Sequence, residues 1–128
     1  MINFLNLIRW QNLILIILTQ VLIKYALLDA FNVETQLDSI HFTLLVLATV
    51  CIAAAGNIIN DIYDTETDAI NKPDKVIIGK CISEKTAYNW FIFLSVIGVG
   101  IGFYLANHVG KSNFAALFVI ISALLYVY

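Results

Sequence analysis

The run Asn60-Asp61-Ile62-Tyr63-Asp64-Thr65-Glu66-Thr67-Asp68 gathers oxygen-bearing side chains at a spacing that suits one face of a helix. Residues four apart on an α-helix lie one turn above another, so Asn60, Asp64 and Asp68 form a stripe. Asp61 sits beside that stripe, and Asn57 extends it by one turn. Carboxylates held this way repel one another: at about 6 Å and an effective dielectric near 20, each pair costs about 2.8 kcal/mol. They also lie at a helix C-terminus, where the macrodipole disfavours negative charge. A divalent cation removes the conflict. An oxygen-only donor set without Cys or His favours Mg²⁺ over zinc, and Mg²⁺ typically takes one or two carboxylates, filling its shell with water and phosphate oxygens. A solvated charged loop is the plainer reading. It does not account for the regular spacing, nor for Asn57 within the apolar run, since polar groups at membrane depth are costly and usually line a functional cavity.

The elements that position this stripe are membrane helices. The 128-residue chain is 61% hydrophobic and only 12% charged, against roughly 45–50% and about 25% for a soluble domain. A hydrocarbon core of about 30 Å needs about 20 apolar residues per crossing. Three stretches qualify, Leu7–Leu28, His41–Ile59 and Ala87–Asn107. A fourth begins near Asn113 and is still apolar at Tyr128; at about 24 Å it is short of a crossing, so the chain is expected to be the N-terminal part of a longer membrane domain. The second helix is expected to run on from about Phe42 to Ile70, because Pro73 disfavours helix only at the residue before it. The expected fold class is an all-α, polytopic transmembrane bundle.

Seven basic and nine acidic side chains leave no basic patch for a nucleic acid. Arg9 lies at the N-terminal end of the first span, while Lys72, Lys75, Lys80 and Lys85 lie between the second and third. Cytoplasmic loops are enriched in such residues, which puts the N-terminus and the loop over 61–85 in the cytoplasm of a multi-pass protein of the cell membrane. The first apolar run is too long for a signal peptide and lacks a small-x-small cleavage site. Cys51 lies in an apolar run and Cys81 in a polar loop, so no disulfide is expected.

The segment Asn60 to Asp68 resembles the first signature of the UbiA family of membrane prenyltransferases, N-D-x-x-D-x-x-x-D, without a gap. Downstream, Asn71-Lys72-Pro73-Asp74-Lys75 with Gly79 and Ile82-Ser83 is similar to that family's Asn-Lys-Pro-x-Arg-Pro-x-x-x-Gly-x-Ile-Ser segment. It departs in Lys75 for Arg and Val76 for Pro. The resemblance implies a bundle of about nine helices packed around a cavity open to lipid, with a second aspartate motif that is not in these residues. It implies Mg²⁺-dependent transfer of a polyprenyl group from an allylic diphosphate to an aromatic or glycerol-phosphate-type acceptor. Carried onto this chain, Asp64 and Asp68 become catalytic, and Asn60, Asp64 and Asp68 metal-binding. Asn60, Asp61, Lys72 and Lys75 become contacts of the diphosphate, and Asn12 and Asn57 part of the acceptor pocket. The start Arg9-Trp10-Gln11-Asn12 leans toward the branch that makes geranylgeranylglycerol phosphate derivatives.

Other features have plainer readings. Asn12, Thr19, Gln20 and Lys24 share one face of the first span, where Asn12 and Gln20 suit interhelical hydrogen bonds and Lys24 can snorkel outward. Gly98, Gly102 and Ala106 form a small-residue stripe for helix packing. Tyr63, Trp10 and Trp90 suit the membrane interface, and His41 and His108 have no assigned role. A CDP-alcohol phosphatidyltransferase would need Gly after the second Asp, where Thr65 stands. A non-enzymatic cation-binding or transport module is the alternative, although transport sites usually lie near mid-membrane.

Overall fold

The computed structural model describes residues 1–127; Tyr128, the last residue of the expected fourth stretch, lies outside them. Its helices are α1 (Ile2–Leu7), α2 (Trp10–Leu22, widening into a π-helical segment over Ile23–Leu28), α3 (Ser39–Tyr63), α4 (Thr65–Asn71), α5 (Glu84–His108) and α6 (Ala115–Val127). No β-strand occurs among the described residues. Three helical stretches, Trp10–Leu28, Ser39–Tyr63 and Glu84–His108, are long and apolar enough to cross a membrane. The chain is thus an all-α, multi-pass membrane bundle.

Helix starts follow capping chemistry. Asp38 accepts a hydrogen bond from the His41 N–H at 2.8 Å and opens α3, while Ser83 accepts from the Thr86 N–H at 3.2 Å and opens α5. Each satisfies a backbone donor that a helix start leaves unpaired. α3 and α5 run antiparallel. At one end the rings of His41 and His108 stack at 3.5 Å; at the other, Ile58, Ile59 and Ile62 pack with Ala87, Tyr88 and Phe91. The small-residue stripe on α5 allows this approach: Gly98 faces Ile52 and the Ala48 carbonyl, and Gly102 lies against the ring of Phe118 in α6. α2 lies along α3, held at one end by Arg9 and at the other by Lys24. The Lys24 ammonium reaches the Leu37 carbonyl at 2.8 Å over the ring of Phe42.

Two expected helices are interrupted. The helix read over Phe42–Ile70 breaks at Asp64 (φ −90°, ψ 3°) into α3 and α4. The Thr65 hydroxyl donates to the Asp61 carbonyl at 2.8 Å and to the Ile62 carbonyl at 3.0 Å, a back-bond that bends helices. The first helix begins at Ile2 and breaks at Ile8 and Arg9, where Arg9 takes a left-handed conformation (φ 53°, ψ 55°). The hydrogen bonds suggested for Asn12 and Gln20 are absent among the described residues, and Gln20 Oε1 is buried without a partner there.

Candidate functional site

Isoleucines set the register of the acidic face. Ile58, Ile59 and Ile62 are buried with Leu7, Ile78 and Ala87 in one apolar cluster, which turns the polar positions of α3 away from that core. The helical ladder is interrupted at the bend, and individual backbone bonds link the stripe across it. The Asp64 N–H donates to the Asn60 carbonyl at 2.9 Å, the Asp68 N–H to the Asp64 carbonyl at 2.8 Å and the Lys72 N–H to the Asp68 carbonyl at 2.7 Å. Asn60, Asp64, Asp68 and Lys72 therefore follow one another turn by turn. Asn60 and Asp68 are half-buried and Asp64 is exposed.

Asp61 has a partner that the spacing alone does not disclose. The Arg9 guanidinium donates to its Oδ1 at 2.9 Å, with the Arg9 and Asp61 side chains 46% and 23% exposed. The pair is partly wet, so its effect lies less in stability than in direction: one carboxylate of the group is drawn toward α2. One turn earlier on α3, the Asn57 amide nitrogen donates to the Ile8 carbonyl at 2.9 Å. Asn12 is exposed in the first turn of α2, where its N–H donates to the Arg9 carbonyl at 2.8 Å. In the sequence Arg9 stands out only by its charge at the start of the first span, and its contact across 52 positions of sequence comes only with folding.

The loop after α4 is folded back on itself. Ile78 is buried in the apolar cluster, flanked by Ile77 and Ile82. A tight turn closes this segment: the Gly79 N–H donates to the Ile82 carbonyl at 2.7 Å, and the Ile82 N–H to the Ile77 carbonyl at 3.1 Å. Gly79 has φ +87°, a conformation glycine adopts without the steric penalty of a Cβ. Lys80 donates to the Pro73 carbonyl at 2.7 Å and braces the 3₁₀ turn over Pro73–Lys75. Lys72 and Lys75 are exposed, and neither forms an ion pair among the described residues. Backbone hydrogen bonds from Lys72 to the Asp68 carbonyl and from Lys75 to the Lys72 carbonyl join the start of this loop to the acidic stripe.

Among the described residues no three His, Cys, Asp or Glu side chains converge as a metal cage. Mg²⁺ typically takes one or two carboxylates and its remaining ligands from water and phosphate. Asp64 and Asp68 have no ion-pair partner among the described residues, so both carboxylates are available. Beside them stands an aromatic run in which Tyr63 meets Tyr126 edge-on at 6.1 Å and Phe91 stacks on Tyr126 at 5.7 Å.

Comparison with known proteins places the chain in a family. Residues 9–128 match the model of the UbiA prenyltransferase family. The chain is 39% identical over 66 residues to the digeranylgeranylglyceryl phosphate synthase of Metallosphaera sedula, covering 52% of this chain and 22% of that protein. It is 49% identical over 51 residues to the synthase of the same name from Korarchaeum cryptofilum, covering 40% and 18%. With the one from Methanothermobacter thermautotrophicus it shares 39% identity over 89 residues, covering 68% and 30%. The chain thus spans less than a third of the length of each of these relatives. No solved structure matches it. With nearly its whole length inside the family match, the chain belongs to the UbiA prenyltransferase family.

Proposed function

We propose that the protein transfers a polyprenyl group from an allylic diphosphate to a glycerol-phosphate-type acceptor within the membrane, with Mg²⁺ as cofactor. One observation carries this reading: backbone hydrogen bonds from Asp64 to Asn60, from Asp68 to Asp64 and from Lys72 to Asp68 set these residues on successive turns across the bend at the end of an apolar span. The relatives named digeranylgeranylglyceryl phosphate synthases support the choice of acceptor and suggest a geranylgeranyl donor.

In this mechanism Asp64 and Asp68 would hold the metal, with the Asn60 side-chain oxygen as a further donor, and Mg²⁺ bound there would supply positive charge that eases departure of the diphosphate. Lys72 and Lys75 place ammonium groups against the diphosphate oxygens, and Asp61, tied to Arg9, lines the same side. Positive charge on these lysines favours the charge-separated transition state. The allylic carbon–oxygen bond breaks and diphosphate leaves. An acceptor hydroxyl oxygen bonds to the freed carbon and loses its proton, giving an ether. The faces of Tyr63 and Tyr126 suit the transient positive charge on the prenyl carbon, and Asn12 adjoins the acceptor. Orientation follows from the cations: Arg9 meets Asp61, which puts the N-terminus at the same end as the lysine-bearing loop, the end favoured for the cytoplasm.

The test uses full-length protein in lipid vesicles with geranylgeranyl diphosphate and geranylgeranylglyceryl phosphate. Formation of the digeranylgeranyl ether that requires Mg²⁺ and stops with a chelator is the expected result. Cation flux through the vesicles with no prenyl transfer would replace this reading with a transport function.

A further inference from the structure

The break between α1 and α2 leaves a backbone group that α3 supplies with a partner. In a continuous helix the Ile8 carbonyl would accept from the Asn12 N–H, four residues on. Here the Asn12 N–H donates to the Arg9 carbonyl instead, at 2.8 Å, and so does the Leu13 N–H at 3.3 Å. The Ile8 carbonyl loses its helical donor, and the Asn57 Nδ2 takes that place at 2.9 Å. The half-buried Ile8 and Asn57 make this exchange consequential, because a partly desolvated carbonyl without a donor is costly.

Arg9 is what the exchange produces. Its left-handed backbone (φ 53°, ψ 55°) is unfavourable for a residue with a Cβ and persists where the surroundings impose it. Three contacts impose it here. Leu7, fully buried, is locked among Ile58, Ile59 and Ile62. Asn57 holds Ile8, and the Arg9 guanidinium reaches Asp61 at 2.9 Å. Asn57 and Asp61 are four apart on α3, so one face of that helix grips the turn at two successive levels.

We infer that Asn57 is a positioning residue for the acidic site: through Ile8 it fixes the left-handed turn from which Arg9 orients Asp61. The Asn57 amide nitrogen is thereby committed to the protein backbone rather than to a ligand. Loss of its donor frees the turn, and Asp61 loses the fixed cation that draws it toward α2. Because the kinetic readout is prenyl transfer, this inference rests on the function proposed above.

The experiment compares full-length Asn57→Leu, Asn57→Gln, Arg9→Gln and the double variant Asn57→Leu/Arg9→Gln, with turnover expressed per folded molecule. Asn57→Leu is expected to lower kcat about tenfold, equal to about 1.4 kcal/mol, the scale of a lost polar contact. The KM values for prenyl diphosphate and acceptor stay within about twofold. Asn57→Gln, which keeps an amide donor, recovers most of the loss. Arg9→Gln alone lowers kcat by a similar factor, and the double variant is no more than about twofold worse than either single one, since both act through one turn. A loss expressed in KM, a double variant showing the product of the two single effects, or a lower folded fraction with unchanged kcat each overturns the inference. Wild-type protein without prenyl transfer removes the underlying enzyme reading instead.

Discussion

A methyl group added at Gly98 tests how α5 is held against the helix that carries the site. A Cβ built there lies 2.6 Å from Ile52 Cγ1, 3.3 Å from Ile52 Cδ1 and 3.1 Å from the Ala48 carbonyl oxygen. Carbon atoms in contact sit about 3.5–4.0 Å apart, so the first distance falls short by about 1 Å. Ile52 cannot simply turn aside, because a β-branched side chain in a helix has one strongly preferred χ1, and the Ala48 oxygen belongs to the backbone. The two helices must part, which costs about 1–3 kcal/mol for overpacking of this kind. Thermal unfolding of full-length protein in detergent should show Gly98→Ala melting roughly 5 °C lower. Gly100, two residues away, has nothing within 4 Å of its Cβ position, and Gly100→Ala should leave the midpoint unchanged or raise it. Combining Gly98→Ala with Ile52→Ala should cost at least about 1 kcal/mol less than the two losses added together, as the new methyl enters the space the isoleucine leaves. Equal midpoints for Gly98→Ala and Gly100→Ala would refute this packing argument.

Further expectations concern the loop, the caps and the cations. Gly79→Ala should destabilise by about 1–2 kcal/mol through its positive φ alone, since nothing crowds the site; kinetics should show a raised KM for the diphosphate as the lysine-bearing loop loosens. Asp38 is held below its ordinary 3.8 first by the His41 backbone N–H and then by the His41 side chain. A carboxyl depressed by folding stabilises fully above its unfolded value and loses that contribution as pH falls through the folded one. The melting difference between wild type and Asp38→Ala should therefore persist from neutral pH to about pH 4 and shrink only below that. A gap that closes already at pH 6 would count against the cap. Lys75→Ala should raise the KM for prenyl diphosphate about tenfold while kcat changes less, measured at saturating Mg²⁺.

Periodicity made the helical stripe legible. The spacing of Asn60, Asp64 and Asp68 specified it, and individual backbone hydrogen bonds through Lys72 keep them in that order. Hydropathy disclosed the spans because membrane helices must be apolar along their length. The bend at Asp64 was harder to foresee, since Thr65 back-bonding depends on a rotamer that the sequence leaves open. The break at Arg9 carries neither Gly nor Pro to mark it. Its conformation is imposed from α3 by Asn57 and Asp61, so local propensity had no means of indicating it. His41 and His108 are 67 positions apart in number, and only the antiparallel pairing of α3 with α5 stacks their rings. What local pattern determines was readable, and what distant contacts determine was not.

In the function proposed above, Asp64 and Asp68 present Mg²⁺ to a prenyl diphosphate. The most direct measurement of this is equilibrium binding of labelled geranylgeranyl diphosphate to full-length protein in vesicles, with and without Mg²⁺, for wild type, Asp64→Asn and Asp68→Asn. Wild type should bind at least about a hundredfold more tightly with Mg²⁺ than without, and each variant should lose most of that difference, as expected when a metal-bridged contact worth about 3 kcal/mol is removed. If both variants keep the full Mg²⁺ dependence while remaining folded, the metal and the diphosphate are held elsewhere.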